Sequence, residues 1–235
     1  VFLRFEAGGE DLYPLLWRIY DHPHLLRFDP VRFALMRRLG YFMTESSPHT
    51  AEYLPYFLKD EEEIERLHIP ISTYLDKVEK NEAERKKLAN DVRRGVDLLS
   101  KPYERSIEYA SRLINGIVTN EPFRFNGNVW NRPGQLISNL PPDSCVEVPC
   151  IADGQGIQPI RIGALPPQCV ALIRSSISVQ QLTVAALLEG EPDHVLHAAM
   201  VDPSTASQLT LAVIEEVVDE MIEAQRRWLP SFLQG

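Results

Sequence analysis

The sequence has 235 residues, a formal net charge of −9 and 44% hydrophobic residues. This negative charge excludes a nucleic-acid-binding domain that needs a basic surface to contact phosphates, and no continuous apolar run reaches the roughly 18–20 residues that cross a bilayer. The three cysteines are an odd number without a CxxC pair, which indicates reduced thiols in a cytoplasmic protein and argues against a structural zinc site.

The first part of the chain predicts a strand followed by two helices. Residues 1–6 alternate as in a strand, a Gly8-Gly9 turn follows, and a short helix begins at Asp11. A second helix is predicted over residues 30–39, because a proline opens this segment and a glycine follows it. Since the chain opens on a strand-like segment without an initiator methionine, we expect it to belong to a longer polypeptide.

The rest of the chain predicts helices around a separate β-rich portion. Residues 59–101 are highly charged and indicate helices with solvated faces, or a flexible and partly helical excursion. An amphipathic helix is predicted over residues 103–119, with Ile107, Ala110, Leu113, Ile114 and Ile117 facing inward. Short strands are predicted at 123–125, 128–130, 145–151 and 157–162, and helices at about 167–189, 192–201 and 210–228. Helices with a segregated, mainly antiparallel sheet give the α+β class.

Acid, base and hydroxyl groups are concentrated in residues 45–53. Glu45, Ser46 and His49 could serve acid–base chemistry, for which histidine is the usual side chain near neutral pH. The alternative is a capped helix start in which Ser47 is the N-cap, with a proline in the first turn and Glu52 bonding backwards.

Two further regions carry polar groups that could contact a sugar. Glu104 and Glu108 would share a helix face, where Arg105 or sugar hydroxyls could bind them; they could equally be acids that stabilise a helix N-terminus. The segments 126–131 and 138–141 are rich in asparagine, whose amides suit sugar hydroxyls but are also frequent in turns.

Metal binding has little support in the sequence. His194 and His197 lie three residues apart on a predicted helix, but no third ligand is near them in sequence. The Gly154-Gln155-Gly156 stretch lacks the GxGxxG spacing of a dinucleotide-binding loop.

Several segments, taken in order, resemble one family. They are GEDLYPLL (9–16), LGYFMTESSPHTAEY (39–53), RSIEY (105–109), NGNV (126–129), NLPPDSCVEVPC (139–150), GIQP (156–159), GALP (163–166), HAAMVDP (197–203) and WLP (228–230). Together they resemble the C-terminal half of family 4 glycoside hydrolases, in particular the α-galactosidase branch. The likeness is weakest over residues 77–100.

The resemblance implies a glycosidase that departs from the usual pair of carboxylates. In this family NAD oxidises the sugar at C3, a divalent metal (usually Mn²⁺) polarises the oxygens at C2 and C3, a base removes the C2 proton, and the leaving group departs from C1. The resemblance places the nucleotide-binding Rossmann domain and the metal ligands ahead of Val1, so we expect this chain itself to bind neither NAD nor metal tightly.

The resemblance also implies which residues face the sugar. The family's phospho-glycosidase branch has a tyrosine base in the segment that matches 45–49; an ungapped match places Ser46 there, and a small shift places His49 there. We therefore expect His49, Ser46 and Glu45 to be catalytic, with Arg105, Glu108, Asn126 and Asn128 as sugar ligands.

The whole chain, residues 1–235, is then expected to be one α+β domain that resembles the substrate domain of lactate and malate dehydrogenases. It would carry a charged helical excursion, pack on the nucleotide-binding domain and form a homo-oligomer. The alternatives are an α-galacturonidase or α-glucosidase of the same family, or an inactive binding or oligomerisation module.

Overall fold

The structure, a computed structural model, describes residues 1–96, 106–132 and 134–234. The helices, in chain order, are α1 (Tyr13–Arg18), α2 (Pro23–Leu26), α3 (Pro30–Leu39), α4 (Ser47–Glu52), α5 (Glu61–Arg66), α6 (Thr73–Arg93), α7 (Ala110–Thr119), α8 (Pro167–Glu189), α9 (Asp193–Val201), α10 (Pro203–Gln208) and α11 (Leu211–Gln225). The strands are β1 (Glu6–Ala7), β2 (Glu10–Asp11), β3 (Phe123–Trp130), β4 (Cys145–Asp153) and β5 (Gly156–Pro159).

The chain forms two compact units. The first comprises Val1–Ile69, Asn126–Val148 and Pro159–Gly235, and the second comprises Pro70–Phe125 and Pro149–Gln158. β1 and β2 pair antiparallel, and β3, β4 and β5 form a three-stranded sheet in that order. Helices with small separate sheets confirm the predicted α+β class.

The first segment is a hairpin and not the long strand predicted over residues 1–6. Glu6 pairs with Asp11 across a turn in which Gly8 and Gly9 take φ values of 60° and 84°, which favour glycine. The preceding alternation reflects aromatic packing, because Phe2 and Phe5 lie against Phe42, with ring centroids 6.5 and 6.4 Å from it. The Gly8-Gly9 turn is confirmed, and the strand prediction is wrong before Glu6.

Helix α3 has the predicted bounds. Pro30 occupies its first turn, and Gly40 ends it in the left-handed conformation at φ 83°. Val31, Leu35 and Met36 are buried on it and belong to two neighbouring apolar clusters of the first unit. These clusters surround the segment that leads from α3 into α4.

The start of α3 is capped from another part of the chain. The Oγ atom of Ser47 accepts hydrogen bonds from the backbone N–H groups of Val31 (3.1 Å) and Arg32 (3.2 Å) and donates one to Oδ1 of Asp29 (2.6 Å). The capping interpretation of residues 45–53 was therefore wrong in detail: Ser46 is the N-cap of α4, and the Ser47 hydroxyl satisfies the orphan donors of α3.

We expect Ser47→Ala to lower the free energy of unfolding by about 1–3 kcal/mol, because it leaves the buried Val31 N–H without its acceptor. Urea denaturation measures this change. Ser46→Ala is the matched control, since the Ser46 side chain makes no capping bond within the described part of the chain. An equal loss in both variants would contradict the capping role of Ser47.

The predicted helix over residues 103–119 begins later than expected. Residues 103–105 lie outside the described residues, 106–109 are not helical, and α7 starts at Ala110. Of the side chains predicted to face inward, Leu113 and Ile117 are half-buried, whereas Ile107, Ala110 and Ile114 are exposed. The apolar spacing was read across a non-helical segment, and this made the predicted stripe too long.

Gly116 allows α7 to pack closely against its neighbours in the second unit. A Cβ atom at this position would lie 2.8 Å from the carbonyl oxygen of Ala152 and 2.9 Å from that of Glu121. The helix backbone therefore approaches β4 and the start of β3 more closely than any other residue type permits.

The chain from residue 167 onward is mainly helical, as predicted. α8 and α9 match the expected 167–189 and 192–201, and the last predicted helix is divided into α11 and a 3₁₀ turn over Arg226–Trp228. On α11, Ile214 is buried, whereas Val217 and Met221 are 43% and 52% exposed.

Among the described helices, α8 alone is long and apolar enough to cross a membrane on length and composition. One such helix is weak evidence, because the core helices of soluble proteins satisfy the same criterion. α8 also carries Arg174 and a Gln180-Gln181 pair within its length.

Candidate functional site

A cavity of about 240 Å³ lies in the first unit beside the polar loop that precedes α4. Its walls come from four parts of the unit: Val1, the loop with α4, the start of β4, and α8. The described residues that line it are Val1, Met43, Thr44, Glu45, Thr50, Tyr53, Leu54, Cys145, Cys169, Leu172, Ile173, Ser176, Ile177 and Gln180. The α8 side of the cavity is mostly apolar, and the polar groups of the lining come chiefly from the loop.

The three candidate catalytic residues of the loop differ in their position relative to the cavity. Glu45 lines the cavity, and its backbone is fixed by the Thr50 hydroxyl, which donates to the Glu45 carbonyl oxygen at 3.1 Å. Ser46 is exposed at the N-cap of α4. His49 lies on the exposed side of α4, and its Nδ1 atom is 2.8 Å from Oε2 of Glu52.

His49 and Glu52 therefore form a histidine–carboxylate pair three residues apart on α4. Both side chains are about half exposed, at 54% and 50%. A carboxylate on Nδ1 orients the ring and leaves Nε2 as the nitrogen for proton exchange with another molecule. The described cavity lining includes Thr50 and Tyr53 of the same segment but not His49.

Tyr53 and Cys169 are cavity residues that the sequence did not indicate. Tyr53 follows His49 by one helical turn, and its backbone N–H donates to the His49 carbonyl oxygen at 3.1 Å. Cys169 lies 116 positions further along, at the start of α8, so no local pattern connects it with the loop. Burial raises the pKa of the Cys169 thiol above its ordinary value, which keeps it a neutral thiol.

The predicted sugar ligands of the 105–108 segment are Arg105 and Glu108. Arg105 lies outside the described residues. Glu108 lines a polar cavity of about 670 Å³ in the second unit, together with Arg112, Asn115 and Glu121. Its backbone N–H donates to Ser106 Oγ at 3.3 Å, and Glu108 lies before the start of α7; Glu104 lies outside the described residues.

Asn126 and Asn128 lie within β3, which corrects the turn interpretation of this segment. Residues of β3 alternate between half-buried and exposed, and both asparagines fall on the exposed face with Trp130. Arg132 lies over the Trp130 ring, 5.7 Å from its centroid. Two amides and an indole at every second position form a surface suited to a polar ring compound.

The neighbouring asparagines Asn131 and Asn139 have structural roles. Asn131 is fully buried; its Nδ2 atom donates to the carbonyl oxygens of Ile137, Leu140 and Pro141 at 3.0–3.2 Å. Asn139 Oδ1 accepts from Leu165 N at 3.0 Å, and its Nδ2 donates to the Leu165 carbonyl at 2.9 Å. Both shape loops of the first unit and leave no amide group for a ligand.

The described residues do not fit a metal ion. Within the described parts of the chain, no group of three or more His, Cys, Asp or Glu side chains could hold a metal ion. His194 and His197 approach through their Nδ1 atoms at 3.4 Å, and Nε2 of His194 is 3.4 Å from Glu189. The sequence also lacks a GxGxxG motif.

Comparison with known proteins decides the family. Residues 1–205 match the sequence profile of the family 4 glycosyl hydrolase C-terminal domain. The chain belongs to this family. Its sequence is 40% identical over 233 residues to an alpha-galactosidase of Bacillus subtilis strain 168, an alignment that covers 98% of this chain and 53% of the relative. It is also 32% identical over 221 residues to an alpha-galactosidase of Rhizobium meliloti strain 1021, with 90% and 44% covered.

The fold of this family 4 chain also resembles a solved structure. The crystal structure of a 6-phospho-alpha-glucosidase from gut microorganisms, in complex with NAD and Mn²⁺, superposes with a TM-score of 0.69 at 19% identity over 94% of this chain and 51% of that chain. The family predicted from sequence and its fold are thus confirmed. The chain spans about half the length of the curated relatives it matches.

Proposed function

We propose that the full-length protein containing these residues hydrolyses α-galactosides and that this chain forms the sugar-facing wall of its active site. The observation that supports this most directly is the 40% identity to an alpha-galactosidase over 98% of the chain. A second alpha-galactosidase is similar over 90% of the chain. Both likenesses extend through the 40–53 segment and the cavity-lining residues of β4 and α8.

In this proposal the cavity beside Glu45 receives the galactose ring. The Glu45 carboxylate accepts hydrogen bonds from sugar hydroxyls, and Tyr53 offers a hydroxyl and a ring face at the same wall. The apolar side chains of α8 exclude water below the ring. Asn126, Asn128, Arg105 and Glu108 stay predicted sugar ligands on the resemblance alone.

His49 is proposed as the general base. Its Nδ1 atom contacts Glu52, which orients the ring and leaves Nε2 to take a proton from the substrate. Ser46, exposed at the N-cap of α4, would hydrogen-bond the substrate beside it.

NAD and Mn²⁺ are proposed as cofactors of the full-length protein, because the similar 6-phospho-alpha-glucosidase was solved in complex with both. The half of the relatives' length that this chain does not span would supply those groups. We also propose a cytoplasmic, homo-oligomeric enzyme.

A panel of nitrophenyl glycosides tests the proposed function. The full-length protein, supplied with NAD and Mn²⁺, is expected to release nitrophenol from the α-galactoside at least about tenfold faster, in kcat/KM, than from the α-glucoside or α-galacturonide, a discrimination of about 1.4 kcal/mol. The β-galactoside serves as a control for the anomer. A preference for the galacturonide or glucoside would contradict the substrate, and no release from any glycoside would favour a binding module.

A further inference from the structure

Helix α6 of the second unit presents an apolar stripe to solvent. None of its residues is buried within the described parts of the chain, and Tyr74, Val78, Leu88 and Val92 are 76%, 46%, 52% and 58% exposed. Most helices in proteins gain their stability by packing an apolar face against another element. The stripe therefore indicates a surface that binds a partner.

The spacing of the stripe is that of a coiled-coil seam. Tyr74, Val78, Asn81, Arg85, Leu88 and Val92 follow one another at alternating intervals of four and three residues. At 100° per residue these six positions lie within about 80° of one another around the helix axis. Four apolar side chains therefore flank a polar centre made by Asn81 and Arg85. We call these six residues the seam.

We infer that the seam packs antiparallel against the seam of a second copy of this chain. In that arrangement each seam residue faces a seam residue of the second copy, and the two residue numbers add up to 166. Tyr74 then meets Val92 of the second copy, and Val78 meets Leu88 of the second copy. Asn81 meets Arg85 of the second copy, so the apolar layers and the polar layers match throughout.

The positions of the charged side chains on α6 favour antiparallel packing of the two seams. In a parallel, in-register pair the two Arg85 guanidinium groups would lie side by side in the seam, where two like charges repel. In the antiparallel pair each Arg85 can donate to Asn81 Oδ1 of the second copy. Lys77 also comes to lie near Asp91 of the second copy, which places opposite charges beside the apolar layers.

The intrahelical ion pairs are compatible with this packing. Arg85 donates to both carboxylate oxygens of Glu82 on its own helix at 3.0 and 2.9 Å, and this pairing lowers the pKa of Glu82 to about 2. The two Glu84 residues would approach each other near the two-fold axis. Each has Nζ of Lys80 on its own helix 4.0 Å away, which reduces their repulsion.

Disulfide trapping in the full chain tests whether a second copy binds the seam and whether the two helices run antiparallel. Cys145→Ser first removes the exposed thiol, while Cys150 and Cys169 stay buried. Val78→Cys and Leu88→Cys are then made in this background as separate proteins with different tags, mixed, and oxidised in air with copper–phenanthroline. Ala83→Cys, on the opposite face of α6, is the matched control.

The antiparallel seam predicts a disulfide only between Val78→Cys and Leu88→Cys, and almost none within either protein alone or in the Ala83→Cys control. Leu88→Asp should in addition halve the mass measured by light scattering at equal helix content, whereas Lys87→Asp on the outer face should not. Homodimeric disulfides of Val78→Cys would overturn the direction. Absence of cross-links, together with no change of mass in Leu88→Asp, would overturn the inference. Neither readout depends on glycosidase activity.

Discussion

His49→Ala is expected to lower kcat of the full-length protein on a nitrophenyl α-galactoside by about 10²–10⁴-fold, the range for loss of a general base. The reason is that the His49–Glu52 pair is the only histidine–carboxylate pair within the described residues of the 45–53 loop. Substrate binding relies on other groups, so KM should change little. With a substrate deuterated at C2, the isotope effect on kcat should increase in the variant, because proton removal then limits the rate.

His24→Ala is the matched control, since His24 is also exposed but lies in α2, outside the residues that line the cavity. Its turnover should equal that of the parent protein. Near-normal turnover in His49→Ala would remove His49 from the mechanism. Glu45→Gln would then identify the base, because Glu45 is the carboxylate on the cavity wall.

The elements predicted well from sequence are those whose signals are local. Pro30 restricts its own φ, and Gly40 tolerates the left-handed conformation that ends a helix, so both fix the bounds of α3 without help from distant residues. The Gly8-Gly9 turn was predictable for the same reason, since positive φ is favourable at both positions. The strand predicted over residues 1–6 was wrong because alternating aromatic residues can pack on a cluster without joining a sheet.

The site was only partly predictable because its residues meet through tertiary contacts. Ser47 looked like the N-cap of its own helix, but its hydroxyl binds backbone groups 15 and 16 residues earlier in the chain. Cys169 reaches the cavity from the start of α8, more than a hundred residues beyond Glu45. No periodicity or motif encodes either contact. The 40–53 segment was found because acid, base and hydroxyl groups are dense there, and that density does not specify which side chain faces the cavity.

The asparagines show the same limit of sequence-based prediction. Composition cannot distinguish an amide that faces solvent on a strand from one that is buried in a loop. Asn128 and Asn131 are three residues apart, yet the first is exposed on β3 and the second has no exposed surface. The two asparagines differ in burial and in hydrogen-bond partners. Substituting each of them in turn measures how much this difference contributes to stability.

Asn131→Ala is expected to lower the free energy of unfolding by about 3–5 kcal/mol, a large part of the roughly 5–15 kcal/mol that stabilises a domain. Its amide donates to three carbonyl oxygens, and its Oδ1 accepts from the buried Ile137 N–H at 2.8 Å. Asn131→Asp should cost at least as much, because a carboxylate would face those three carbonyl oxygens and could donate to none of them when ionised. Urea denaturation of the chain measures both losses.

Asn128→Ala is the matched control for Asn131, since it removes the same amide from the exposed face of β3. It should change the free energy of unfolding by less than about 0.5 kcal/mol. In the full-length protein it should instead raise KM for the α-galactoside if Asn128 contacts the sugar. Asn131 adjoins the cavity indirectly: its backbone N–H donates to the carbonyl oxygen of Ser144, which precedes the cavity-lining Cys145. Equal stability losses at 128 and 131 would show that the buried amide network does not hold this loop in place.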